Sequence, residues 1–301
     1  MTDAPLTLMM VHAHPDDEVV GTGGTLARYA EHGARTVLVT ATLGEEGQIV
    51  DPALNTPEVR ERLGEVRRAE LARSAEILKI SRVELLGYRD SGMAGLESNS
   101  HPACFNMADP DEATGRLVRL IRAHRPHVLV TYNERGGYGH PDHIACHRTT
   151  LAAWDAAGDP ARYPEAGAPW TPLKLYAVAS PRSRWQRLFE ALRERGVPGP
   201  HESPDFDIEL FTVPDEEVTT AIQVAGYQDR LREAMLAHRT QFGADGPFAG
   251  LPEELMREFG GYEFFTLLAS RVPLPQSPHR TTSAGLGYED DLFAGVRESG
   301  A

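Results

Sequence analysis

Val11-His12-Ala13-His14-Pro15-Asp16-Asp17-Glu18 follows an apolar run over residues 6–11 and precedes Gly21-Thr22-Gly23-Gly24. The apolar run reads as a buried β-strand, and the glycines open a helical stretch. Two histidines, two aspartates and a glutamate therefore fall where a strand gives way to a helix. In open α/β sheets that edge is where ligands bind. Imidazole mixed with carboxylate is the donor set of a divalent metal with an open coordination position.

The flanking chain supports an α/β sheet. Residues 25–33 read as a helix stopped by Gly33, a C-terminal cap. β-Branched and apolar residues make 35–42 a second strand. The polar loop Gly44-Glu45-Glu46-Gly47-Gln48 leads into a long helix expected over 57–80 and a short strand at 83–86. Residues 87–109 form a loop rich in Gly, Ser, Asn and Asp. Asp109-Pro110 then starts a helix with a capping residue and a first-turn proline. Val128–Thr131 is a fourth strand. Strands alternating with helices in this way predict a parallel, helix-covered sheet. Right-handed crossovers then bring loop 133–140 to the same carboxyl edge as His14. Further on, 174–180 reads as a strand, 183–194 as a helix, 207–213 as a strand and 215–239 as a long helix.

No internal repeat or low-complexity linker forces a boundary. Residues 1–272 are expected to form a single catalytic α/β domain, with 1–157 as its core and 158–272 completing the sheet and the substrate pocket. Residues 273–301 are expected to be an irregular C-terminal tail, with Leu292-Phe293 docking back.

The 301 residues carry a formal charge of −14, against a general nucleic-acid or anionic-membrane surface. No apolar run approaches the ~20 residues of a membrane span. The N-terminus lacks the basic-then-apolar pattern of a secretion signal. Cys104 and Cys146 are the only cysteines, which excludes a disulfide scaffold and fits a cytoplasmic location. The expected partner is a small molecule, and a homo-oligomer is left open.

A second cluster, Gly136-Gly137-Tyr138-Gly139-His140-Pro141-Asp142-His143, sits at the other strand exit. Pro141 suits the first position of a helix capped by His140. His143 lies in its first turn and can face the His14 loop. His14, Asp17 and His143 are thus three candidate ligands from two loops, and two imidazoles, one carboxylate and an open position form a catalytic zinc pattern. The acids at 16–18 alone could merely favour the positive end of the next helix. His12 reads as a packed histidine. His147 shares an apolar stripe with Ile144 and Leu151 and reads as a core histidine. His101, His124, His127 and His238 are isolated and receive no role. Arg67 lies on an apolar helix face with Leu63 and Leu71, so it is either paired to a buried acid or aimed into a pocket. Gly21, Gly23 and Gly24 have the wrong spacing for a dinucleotide fingerprint.

Ala13-His14-Pro15-Asp16-Asp17-Glu18 together with His140-Pro141-Asp142-His143 resembles the LmbE-like zinc N-deacetylases, also called the GlcNAc-phosphatidylinositol de-N-acetylase-like family. The resemblance extends to Thr42-Leu43-Gly44-Glu45-Glu46-Gly47, to Arg89-Asp90-Ser91-Gly92-Met93-Ala94-Gly95 and to Asp291-Leu292-Phe293-Ala294-Gly295, and is nearest the branch of mycothiol deacetylase and mycothiol S-conjugate amidase. It implies a Rossmann-like three-layer fold with the metal site at the carboxyl edge. It implies His14, Asp17 and His143 as zinc ligands, with ferrous iron a substitute in the cell. It further implies Asp16 as general base, His140 as oxyanion stabiliser and general acid with Asp142 holding its ring, and Tyr138 as a mobile hydroxyl donor. Arg67 and Asp90 match substrate-binding positions.

The implied activity is removal of acetate from an N-acetylglucosamine glycoside, of the GlcNAc-inositol or GlcNAc-malate type, in low-molecular-weight thiol biosynthesis. The alternatives are cleavage of thiol S-conjugates or deacetylation of another amino sugar. Elementary chemistry agrees. Zinc lowers the pKa of its bound water to about 7, within reach of a neighbouring carboxylate. A departing amine needs a proton, which a histidine can deliver, and Asp142 is expected to favour the charged form of His140. Gln48 and Gly21 depart from the mycothiol enzymes, which carry an acid and, in the amidase, a lysine in those neighbourhoods.

Overall fold

The computed structural model describes residues 5–199, 202–203, 206–242, 252–274 and 289–297. Its central strand is β1 (Thr7–His12), buried along its whole length. Alternation along the strand feeds two core layers. Met9, Val11 and Ala13 face one, with Val39, Leu117 and Ile121. Leu8 and Met10 face the other, with Leu26, Leu71 and Phe265. A strand apolar on both faces belongs inside a parallel sheet covered on both sides.

β2 (Arg35–Thr40) and β4 (Val128–Thr131) flank β1 in parallel. β3 (Arg82–Leu85) continues the sheet beyond β2, and β5 (Lys174–Ala179) beyond β4. The seven strands run in the order β3-β2-β1-β4-β5-β7-β6. β7 (Tyr262–Ser270) is antiparallel to both β5 and β6 (Thr220–Gln223). The mostly parallel α/β architecture expected from the sequence is the one the chain adopts. Helices α1 (Gly23–Glu31) and α3 (Leu63–Leu78) cover one face, and α4 (Pro110–His124) and α6 (Pro141–Ala156) the other. The helix expected over 183–194 is α7 (Arg182–Glu194). Strand order reverses between β1 and β4, so their carboxyl ends open a crevice. The His14 and His140 loops both leave from that point.

Three expectations change. The helix expected over 57–80 is two, α2 (Pro57–Glu61) and α3, stepping at Arg62. Beside the step, Gly64 lets Leu43 and Glu45 of the preceding loop come close. The strand expected at 207–213 is instead a single turn, α8 (Ile208–Phe211), because the Asp207 carboxylate accepts the Glu209 N–H at 2.9 Å. Only Val213 bridges to Pro181. The long helix expected over 215–239 contains β6, followed by α9 (Gln228–Ala237). The β-branched residues Val218, Thr219, Thr220 and Ile222 lie in or beside β6, whose partner β7 is about forty residues away, a pairing that local periodicity does not reveal.

The described part of the tail, 289–297, adds no helix or strand to the fold. Leu292, Phe293 and Val296 are fully buried, which bears out the docking of Leu292-Phe293 and extends it. Residues 275–288 and 298–301 of that tail lie outside the described residues. Among the described residues no helix is long and apolar enough to cross a membrane.

Candidate active site

The chain leaves β1 in a tight turn. Asp17 Oδ2 accepts the His14 N–H at 2.7 Å, and Tyr132, just beyond β4, accepts the Ala13 N–H on its hydroxyl at 2.9 Å. The Tyr132 ring stacks on His143, with centroids 4.1 Å apart. These contacts bring three side chains together. His14 Nδ1 lies 3.3 Å from His143 Nε2. Asp17 Oδ2 is 3.5 Å from His14 Nδ1, and Asp17 Oδ1 is 3.5 Å from His143 Nε2. A tetrahedral site with metal–nitrogen distances of about 2.0–2.1 Å has donor–donor edges of about 3.3–3.4 Å. Each edge is close to that length, but Asp17 meets the two rings with different oxygens, so the three close on one ion once that carboxylate turns to present a single oxygen to both.

Two wider groupings also bring donor atoms within 4.8 Å of one another: His14 with His140 and His143, and His14 with Asp90 and Asp142. The second fixes the tautomer of His14. Its Nε2 lies 3.3 Å from Asp90 Oδ1 and 3.3 Å from Asp142 Oδ2. In the singly protonated ring a proton held there by carboxylates leaves Nδ1 as the free donor turned toward His143, the arrangement that orients a metal-ligating histidine. Burial opposes charge on His14, but Asp142, Asp17 and Asp90 hold its pKa well above the ordinary imidazole value, so in the ion-free protein Nδ1 is protonated too and a metal bound there would displace that proton. Burial, opposed by Asp17 and assisted by His14, pushes His143 down to about 4, so that ring is neutral and keeps a lone pair. Burial also works against the charge on Asp17, but His143 and His14 outweigh it and hold the carboxyl well below its usual range.

Asp16 sits beside this triangle with φ 123° and ψ −24°. A non-glycine residue in that region costs of order 1–3 kcal/mol and persists only where its surroundings impose it. Arg67 is one restraint. It is 3% exposed and donates to Pro15 O at 2.6 Å and to Gly44 O at 2.8 Å, with Asp16 Oδ1 at 3.2 Å. Arg67 is thus paired with an acid, and that acid belongs to the site itself. Burial, opposed chiefly by Arg67, raises the Asp16 carboxyl to about 7.

His140 caps α6, its Nδ1 accepting the Asp142 N–H at 3.2 Å. In the neutral ring the proton is therefore on Nε2. The Asp142 carboxylate does not hold this ring. It accepts from the Ser91 N–H at 3.0 Å and from the Ser91 hydroxyl, and it faces His14. Nor is the charged form of His140 favoured. Burial, with His14 and His143 adding to it, pushes the ring down to about 4 against the pull of Asp142. Asp90 is buried and accepts from the Gly92 N–H at 2.8 Å and the Glu46 N–H at 3.1 Å. Tyr138 stands exposed at the mouth, 5.0 Å from His143 between ring centroids. It lies between Gly137 and Gly139, both at positive φ, in the short turn α5 (Gly136–Gly139).

His12 is packed as expected, between Tyr132 and Thr22. His147 is likewise a satisfied core residue, with Nδ1 on Tyr132 O at 2.8 Å. Ser91, Tyr132 and His238 were not marked by the sequence. Ser91 lay within a quoted motif, whereas Tyr132 and His238 carry no local signal because their partners come from distant elements.

A family model described as PIG-L, GlcNAc-PI de-N-acetylase, matches residues 9–154, the span from β1 to α6. Over 295 residues the chain is 45% identical to the 1D-myo-inositol 2-acetamido-2-deoxy-alpha-D-glucopyranoside deacetylase of Thermobifida fusca, covering 95% of this chain and 98% of that one. The chain belongs to the PIG-L family. A second relative of the same name, from Geodermatophilus obscurus, is 43% identical over 296 residues, covering 96% of this chain and 97% of its own. Among solved structures, a conserved protein of Thermus thermophilus superposes with a TM-score of 0.57 at 25% identity, covering 92% of this chain and all of that one. The PIG-L match spans both loops that carry the site.

Proposed function

We propose that this chain is a metal-dependent N-deacetylase that hydrolyses the acetamide of an N-acetylglucosaminyl glycoside, with GlcNAc-inositol as the preferred substrate. The observation that carries this reading is the donor triangle of His14, Asp17 and His143 set against the partly buried carboxyl of Asp16. The preferred substrate follows the names of the relatives that match nearly the whole chain.

His14, Asp17 and His143 would hold the ion, zinc or ferrous iron. Bound there, it would supply Lewis-acid polarisation of the amide carbonyl and a more acidic water. Asp16, fixed by Arg67, accepts the proton from the attacking water. His140 donates Nε2–H to the oxyanion that develops on the carbonyl, a contribution of roughly 3–4 kcal/mol for a well-placed donor. Tyr138 brings a hydroxyl from the mouth to the same centre. The acid formed at Asp16 returns the proton to the leaving nitrogen, a role expected of His140 that its neutral ring does not fill while its Nε2–H stays on the oxyanion. The products are acetate and the free amine. Arg67 and Asp90 hold the loops against which the sugar rests.

The test is release of free amine from GlcNAc-inositol and GlcNAc-malate by the zinc-loaded protein, run in parallel. Turnover of both with GlcNAc-inositol the faster is expected. No release from either by protein with stoichiometric metal would overturn the reading.

A further inference from the structure

We infer that His238 is a positioning residue of this site, acting through Glu18 on the backbone of Asp16. His238 ends α9 and is fully buried. It faces Glu18, also fully buried, with Nε2 2.5 Å from Oε1. The hydroxyl of Ser74, from α3, donates to the same oxygen at 2.5 Å. The other oxygen, Oε2, accepts the Asp16 N–H at 2.9 Å. A carboxylate shut away from water is thus anchored at one oxygen by two donors and uses the other to grip the amide of the strained residue. Arg67 holds the carbonyl before Asp16 and its carboxylate, while Glu18 holds its N–H. Removing the His238 donor frees Glu18 to rotate and lets the turn relax.

The surroundings argue against packing alone. Nδ1 of His238 is buried with no hydrogen-bond partner among the described residues. An apolar side chain of similar size would fill the space without that orphan, so the Nε2 contact, not packing, accounts for an imidazole here. The same stretch also backs the second loop of the site. Thr240 O accepts the Val50 N–H at 2.9 Å, and Gln241 Nε2 donates to Gln48 O at 3.0 Å. Thr240 is in turn fixed by Glu70 of α3, at 2.8 and 2.6 Å. Residues 238–241 therefore brace both loops from behind.

The inference rests on the reading of Asp16 as the base only for its kinetic arm. The experiment compares full-length, metal-loaded His238→Gln, His238→Leu and Ser74→Ala with wild type. Glutamine places an amide donor where Nε2 stood, and leucine places none. His238→Leu is expected to lower kcat by about tenfold or more with KM within about twofold and metal content unchanged. His238→Gln should recover most of that loss, and Ser74→Ala should fall between. The second readout is hydrogen exchange of the Asp16 amide by NMR. Exchange should speed up in His238→Leu and return toward wild type in His238→Gln.

Equal kcat losses in the glutamine and leucine variants, or an Asp16 amide equally protected in all, would overturn the inference. If His238→Leu does not fold, the same amide comparison between His238→Gln and Ser74→Ala decides. A wild-type protein that releases no acetate would sink the deacetylase reading and leave the amide measurement standing.

Discussion

Arg67 closes the site because one guanidinium spans three groups on two loops: Pro15 O, Asp16 and Gly44 O. Its space is provided by glycine. A Cβ on Gly44 would lie 2.0 Å from Arg67 Nη1, and Gly44 has φ +67°. Gly44→Ala is therefore expected to expel the guanidinium, lowering kcat about 10–100-fold and stability by about 1–3 kcal/mol in denaturant unfolding. Gly33 supplies the contrast. Its φ is +83°, but nothing lies within 4 Å of a built Cβ. Gly33→Ala should cost about 1 kcal/mol of stability and leave kcat alone; equal kinetic losses at the two positions would show that space around Arg67 is not what matters. Asp16→Asn keeps the shape and removes the carboxylate proposed as the base. It should lose about 100-fold or more in kcat while metal analysis shows an unchanged content, and retained turnover would remove the base assignment.

The strands that carry the two loops are adjacent because β1 and β4 flank the point where strand order reverses. That much was legible in the sequence: apolar runs of strand length, helices between them and a fixed crossover hand suffice. The pairing of β6 with β7 was not, since an antiparallel partner far along the chain leaves no periodic trace beside residues 220–223. Within the site, the ligand candidates stood out as clustered imidazoles and carboxylates. The partners of Asp142 and Glu18 did not, because Ser91, Ser74 and His238 acquire meaning only when three elements meet.

His127 is a comparable case outside the site. It received no role, yet its Nδ1 accepts the Thr7 N–H at 3.0 Å and so ties the entry of β4 to that of β1. Burial lowers its pKa below the ordinary 6.5. Between the lowered folded value and 6.5 the unfolded chain binds more protons, so stability falls as pH drops below 6.5. His127→Asn keeps an acceptor and cannot titrate. Unfolding free energies should then fall less steeply for the variant from pH 6.5 to 5, and parallel pH curves would refute the assignment of that slope to His127.

The far end of the molecule holds its own lock. Residue 289 forms a one-residue parallel bridge to Thr220, giving β6 a partner on its outer side and so covering part of an edge that would otherwise be open. The Glu289 carboxylate reaches under the sheet to Lys174 Nζ at 2.6 Å, Tyr176 OH at 2.8 Å and Thr220 Oγ1 at 3.0 Å, and Ala294 O takes a further Lys174 proton at 3.1 Å. Both charged side chains are fully buried. Desolvation offsets much of what such a pair contributes, but removing one partner strands the other and costs about 3–5 kcal/mol. Lys174 begins β5, at the amino edge of the sheet, opposite the edge that carries His14. Stability and turnover should therefore separate. Glu289→Gln should lower unfolding stability by about 3–5 kcal/mol, and Lys174→Met added to it should restore a substantial part by removing the stranded ammonium. The folded fraction of either variant should keep the wild-type kcat. A double variant no more stable than Glu289→Gln would show that the segment is held by Phe293 and its apolar neighbours rather than by the buried charges.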